Sequence, residues 1–158
     1  MFRNFKSGST LVLAAALTAT SAFAASHMAG DAAVEARHNQ MELIAYNTGL
    51  LGSMAKGEMD YDAALATSAA TNLNAAASLD RATLWIEGTE QGAVEGSRAK
   101  AEIWSDPTGF DEHFTALIDA SARMMDAAGT DLDALRGAMG PVGGACKDCH
   151  ETYRGPRN

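Results

Sequence analysis

Toward the end of this chain, Leu132, Leu135, Met139, Val142, Cys146, Cys149 and Tyr153 follow one another at three- and four-residue steps. That spacing traces one face of an α-helix, and it puts both of the chain's cysteines on a stripe that has to be buried. Any fold for this sequence must therefore press a long amphipathic helix against other elements while leaving two thiols room to react. Pro141 interrupts the pattern, because proline removes an intrahelical donor and costs about 3 kcal/mol in a helix interior. With Gly137, Gly140, Gly143 and Gly144 around it, a kink or a break is expected there.

The same period recurs upstream. From Gly30 to Ala55 there is no proline, and Met41, Ile44, Ala45, Thr48, Leu51 and Ala55 mark a first helix that Gly57 is placed to end. Asp60 is the expected cap of a second helix with Leu65, Ala69, Leu73, Ala76 and Leu79 on its apolar face. Arg81 to Gly96 contains Gly88, Gly92 and Gly96, and is the long connection, with Trp85 folded back onto the core. Ser97 is the expected cap of a stretch that ends at Ser105. Asp106-Pro107 then restarts the helix through Phe110, Phe114, Leu117, Ile118, Ser121, Met125 and Ala128 to Gly129. Thr130 and Asp133 form a candidate capping box for the last helix, and Gly155 to Asn158 are expected to fray. The prediction is an all-α protein, an antiparallel four-helix bundle.

Composition narrows the function. Among 158 residues, 20 acidic side chains face 12 basic ones, a formal charge of -8, and no clustered Lys/Arg patch is available for nucleic acid or an anionic membrane. Aromatics at 6% and three prolines are unlike an all-β sandwich or barrel. Residues 1–24 have the pattern of a secretory signal: Arg3 and Lys6, an apolar run from Leu11 to Ala19, and Ala22-Phe23-Ala24 as the cleavage site. The run is far shorter than the ~20 residues that span a bilayer. Its removal leaves residues 25–158 as one exported domain of formal charge -10, since Arg3 and Lys6 are lost with it. That domain is large enough to fold without disulfide staples, so the two cysteines are available for chemistry.

Three chemistries compete for Cys146-Lys-Asp-Cys149-His150. In c-type haem attachment the two thiols add across the vinyl groups of a haem and the adjacent histidine supplies an axial nitrogen to iron. A dithiol redox pair needs a strand leading into the motif, and none is predicted. A structural zinc site needs four ligands, and beyond the motif the chain has only His27, His38 and His113, with no second cysteine pair. Haem c is the favoured reading, and export agrees with it.

On these residues the chain resembles the class II cytochromes c, four-helix bundles with haem attached near the C-terminus. The resemblance is carried by Arg37-x-x-x-Met41, by Ala101-Glu-Ile-Trp-Ser-Asp106 and by Val142-Gly-Gly-Ala-Cys-Lys-Asp-Cys-His-Glu-Thr-Tyr-Arg154. It implies a periplasmic monohaem protein that carries electrons or binds diatomic gases (NO, CO), works with redox partner proteins, forms a homodimer and is not an enzyme. It also implies roles for single residues: Cys146 and Cys149 as covalent anchors, His150 as axial ligand, Arg37 at a propionate and Arg154 beside the proximal face. Met41 faces the iron from the distal side. In the cytochrome c-prime branch it only covers an open position, and in the low-spin branch a methionine there is the sixth ligand of a pure electron carrier. The c-prime reading is preferred; His38 is the rival sixth ligand. Met54, Met124, Met125 and Met139 are expected in the core, and His113 is expected to face solvent.

Overall fold

The computed structural model describes the backbone of residues 16–157 and the side chains of residues 29–157. The export segment predicted over residues 1–24 lies outside the residues whose side chains are described. Among the described residues there are five helices: α1 (Ala16–Lys56), α2 (Ala63–Ala77), α3 (Glu102–Ser105), α4 (Pro107–Ala128) and α5 (Leu132–Tyr153). α1, α2, α4 and α5 form a four-helix bundle in which α1 packs on α2, α2 on α4, α4 on α5, and α5 closes back on α1. Neighbours run antiparallel, as the cross-links record. Gln40 near the middle of α1 donates to the carbonyl of Ala76 at the end of α2, at 2.9 Å. Tyr61 donates to the last residue of α4, Ala128, at 2.9 Å, and Arg136 early in α5 reaches the carbonyl of Ala55 late in α1 at 2.8 Å.

Local chemistry sets the helix ends. Gly57 takes φ +77°, a left-handed value that stops α1 at little cost only because glycine has no Cβ. Asp106 caps α4 through the N–H of Gly109, with Pro107 in the first turn. Two caps differ from expectation. α2 is capped by Asp62, which accepts from the N–H of Leu65, and not by Asp60; α5 is capped by Asp131, which accepts from Ala134, and not by Thr130. The Thr130 hydroxyl instead donates back to the carbonyl of Asp126. In both cases the residue adjoining the first helical turn reaches the orphan N–H.

The apolar face of α2 keeps Ala69, Leu73 and Ala76 of the expected stripe and departs from it at both ends. Leu65 and Leu79 are 40% and 47% exposed, and the buried face is Ala66, Ala69, Ala70, Leu73, Ala76 and Ala77. The alanines let α1 and α4 approach closely, while Leu65 sits in the first turn beyond that contact and Leu79 lies past the Ser78 cap, outside the helix. In α4, Met124 is buried and Met125 is not. Leu51, Met54, Leu117, Leu135 and Val142 complete this core.

Pro141 neither breaks nor ends α5, which runs continuously from Leu132 to Tyr153. Pro141 and Gly137 both lie on the exposed face, so water can take up the carbonyl that the proline leaves without a donor. The neighbouring glycines are a softer defect. An added Cβ at Gly140 meets nothing within 4 Å, so Gly140→Ala should stabilise the helix by about 1 kcal/mol and raise Tm by roughly 3 °C. Thermal unfolding of the haem-loaded protein checks this; a lower Tm would show that the helix needs glycine there.

A second, smaller core lies at the end of the bundle where α1, the 78–101 connection, α4 and the end of α5 meet. Ala99, Ile103, Phe110, Phe114 and Tyr153 are buried there, with Met41, Trp85, Trp104 and Cys149 packed against them. Tyr153 donates to the Asp106 carboxylate at 2.7 Å, so the last turn of α5 is tied to the cap of α4. This cluster is what positions the candidate site.

Candidate functional site

α5 brings Cys146, Cys149 and His150 to one wall of a cavity of ≈ 840 Å³, and Arg37 and Met41 of α1 line the same space. Both cysteines are free thiols and half-buried. Trp85, Phe110, Phe114 and Leu117 supply apolar surface, while Arg37, Arg98 and Arg154 bring positive charge. The volume is in the ~300–1,000 Å³ range of cofactor sites, and the lining is the usual mixture of apolar wall and a few placed polar groups. Burial pushes the Cys146 thiol up, and pushes Cys149 up to about 11, so both remain protonated thiols at neutral pH. Burial lowers the basicity of His150, and Arg154 and Arg98 lower it further. The imidazole is therefore held neutral, the form that can donate a lone pair to a metal.

Haem fits these residues. Two thiols one helical turn apart and an imidazole beside the second face a single space wide enough for a large planar group. A zinc site does not fit: among the described residues no three His, Cys, Asp or Glu are grouped to hold a metal ion. Nor does a strand lead into Cys146, as a thioredoxin-like pair would require; the motif lies inside a helix.

Arg37 is 3% exposed. It donates to Thr89 Oγ1 at 2.6 Å, to the Thr89 carbonyl at 3.0 Å, to Ser97 Oγ at 3.2 Å and to the Leu84 carbonyl at 3.3 Å. Both terminal nitrogens are thus committed to the connection, and burial lowers the guanidinium's basicity. Arg37 fastens the otherwise irregular 84–97 segment to α1. Ser97, expected as a helix cap, serves this network instead: it donates to the Thr89 carbonyl at 2.6 Å while α3 starts later, without a side-chain cap.

Met41 is half-buried and touches both cores, so it stands where the two meet on the cavity wall. Arg154 follows the end of α5, exposed, and joins the cavity lining. His38 is exposed at the rim. His113 does not face solvent: it is half-buried, lines the cavity, and packs edge-on to Tyr153 at 5.5 Å. The periodicity of α4 places it one position before Phe114, yet the cavity widens the lining to include it. Arg98 also contributes to the lining without any signal in the local sequence. It is held there by the end of the chain: its guanidinium donates to the Gly155 carbonyl at 2.7 Å, and the Gly155 N–H donates to the Arg98 carbonyl at 2.7 Å.

The model of the family described as Cytochrome C′ matches residues 32–154. A cytochrome c-554 of Cereibacter sphaeroides is 43% identical over 144 residues, spanning 91% of this chain and 94% of that one. A cytochrome c′ of the same organism is also 43% identical, over 87% of this chain and 93% of its own. Among solved structures, cytochrome c′ from Rhodobacter spheriodes superposes with a TM-score of 0.78 at 41% identity, covering 81% of this chain and 98% of that one. A nitric oxide complex of a cytochrome c prime variant from Alcaligenes xylosoxidans superposes with a TM-score of 0.71 at 35% identity, covering 80% and 97%.

Proposed function

The chain belongs to the cytochrome c′ family, and we propose that it is an exported monohaem protein that binds diatomic gases at an open iron position and exchanges electrons with redox partners. The observation that carries this reading is the convergence of Cys146, Cys149, His150 and Met41 on one cavity. Cys146 and Cys149 would hold haem c through thioether bonds, and His150 would supply a nitrogen to its iron. When bound, the haem provides an iron that cycles between ferric and ferrous states and accepts a small ligand.

The chain's own residues decide what the site admits. Phe110, Phe114, Leu117 and Trp85 exclude water and charged solutes, which favours small uncharged ligands. Met41 covers the distal side as an apolar side chain. Arg37 would meet a propionate through its Nε, since its terminal nitrogens are spent on the connection. Arg154 and Arg98 keep positive charge near His150, which disfavours the imidazolium and leaves a ring nitrogen free to bind a metal. The nitric oxide complex of the Alcaligenes xylosoxidans relative supports nitric oxide as a ligand. No helix among the described residues is long and apolar enough to cross a membrane.

Export to the periplasm is supported by Arg3, Lys6 and the Ala22-Phe23-Ala24 site, with residues 25–158 as the haem-binding domain. Pairing of two copies through α1 and α2 is supported by Leu43, Tyr46 and Leu65, which stay exposed. The experiment is mass spectrometry of the mature protein after denaturation in acid. The expected mass is residues 25–158 plus one haem; a bare polypeptide mass, with haem extracted into acidic organic solvent, overturns the reading.

A further inference from the structure

Outside the haem cavity the molecule carries a second depression, a groove of ≈ 460 Å³ between the start of the connection and the start of α4. Ser78, Ala82 and Asp111 form its rim, with Arg81 bound to Asp111 at 2.6 Å. Trp85, Ile103 and Phe110 line both this groove and the haem cavity. These three side chains therefore stand between the groove and the cavity, in the aromatic cluster against which Met41 packs.

The three side chains of the partition are not held alike. Ile103 and Phe110 are each 4% exposed and belong to the smaller core. Trp85 is half-buried and sits in the irregular connection, between the left-handed glycines and the end of α2. Its ring meets Phe110 edge-on at 4.8 Å and Phe114 at 6.0 Å, and the Arg37 guanidinium lies over it at 4.9 Å. Its indole N–H has no hydrogen-bond partner, and its backbone is pinned separately by Trp104, whose Nε1 donates to the Trp85 carbonyl at 3.0 Å. The ring can consequently turn about its side-chain torsions without breaking a hydrogen bond, losing only ring contacts that are weak and tolerant of angle. The backbone meanwhile stays fixed.

We infer that this groove is the entry port for diatomic gases and that the Trp85 ring is its gate. The inference rests on the gas-binding reading above. Nitric oxide and carbon monoxide are small and weakly polar, so they cross an apolar partition without the desolvation cost that stops ions and polar metabolites. Loops carry low-stability motions, which lets a side chain on the connection respond faster than one on a bundle helix.

A port affects rates and leaves the equilibrium alone, and that separates it from a residue that touches bound ligand. Ala82 is exposed on the groove's rim and reaches neither the cavity nor the haem ligands, so Ala82→Trp fills the groove from outside. Stopped-flow and flash-photolysis measurements with carbon monoxide on the ferrous holoprotein should show association and dissociation slowed together by roughly fivefold or more, with Kd and the spectra unchanged. Trp85→Phe, a smaller gate, should speed both. Unchanged rates in both variants overturn the port, as does a change in dissociation alone. If the wild-type ferrous protein is low-spin with Met41 on the iron, it is the gas-binding reading that has failed. The port is then tested on the Met41→Ala background, where the same pair of rate changes supports it and their absence refutes it.

Discussion

Replacing both Cys146 and Cys149 with serine should give a protein with no covalently attached haem and a Tm lower by roughly 15 °C or more. The size of the effect follows from the cavity that both residues line, ≈ 840 Å³ in volume. Haem would cover the apolar part of that lining, Trp85, Phe110, Phe114 and Leu117, and its loss exposes these side chains at about 25 cal/mol per Å² of apolar surface. The bundle cannot keep such a space dry. Without haem it must either admit water along the aromatic walls or let α1 and α5 collapse together, and both routes lose the fixed packing around Phe110 and Phe114. Mass spectrometry and near-ultraviolet circular dichroism read the two parts of this prediction. A double variant that keeps native aromatic signals and native Tm would show that the bundle does not depend on its cofactor.

Met41→Ala is the second large effect. Met41 occupies the seam between the two cores, so truncating it opens the distal side without touching His150, Cys146 or Cys149. If the side chain is a lid, association of carbon monoxide and nitric oxide should accelerate by roughly tenfold or more, because the barrier it imposes is steric. The resting spin state should be unchanged. Stopped-flow mixing of the ferrous variant with carbon monoxide checks the rate and its absorption spectrum checks the spin. A variant that turns from low-spin to high-spin, with a lower potential, would identify Met41 as a ligand and make the protein a pure electron carrier.

What the sequence could reveal was decided by the range of each interaction. The stripe through Cys146, Cys149 and Tyr153 is a local periodicity, so the sequence alone puts the proposed haem anchors on the inward side of a helix. The Asp106-Pro107 start and the Gly57 stop are likewise local and appear as expected. The middle of the α2 face, Ala69, Leu73 and Ala76, is legible in the sequence, but its ends are not, because where the helix stops and which first-turn side chain is covered depend on the neighbouring helices. Pro141 is a case where the local penalty holds but its consequence depends on exposure, which the pattern of α5 does not weigh. Arg37 shows the limit most clearly. Its motif with Met41 pointed to the site, yet the partners that hold it, Thr89 and Ser97, are 52 and 60 residues away. His113 and Arg98 join the cavity for the same reason: the fold assembles them from separate segments.

The proposed site would bind haem iron through His150 and leave its other face open beneath Met41. The visible absorption spectrum of the reduced protein, taken before and after carbon monoxide, tests it most directly. The expected result is broad, high-spin ferrous bands and a carbon monoxide complex that forms without displacing a protein ligand. Sharp low-spin ferrous bands that vanish on Met41→Ala would contradict it.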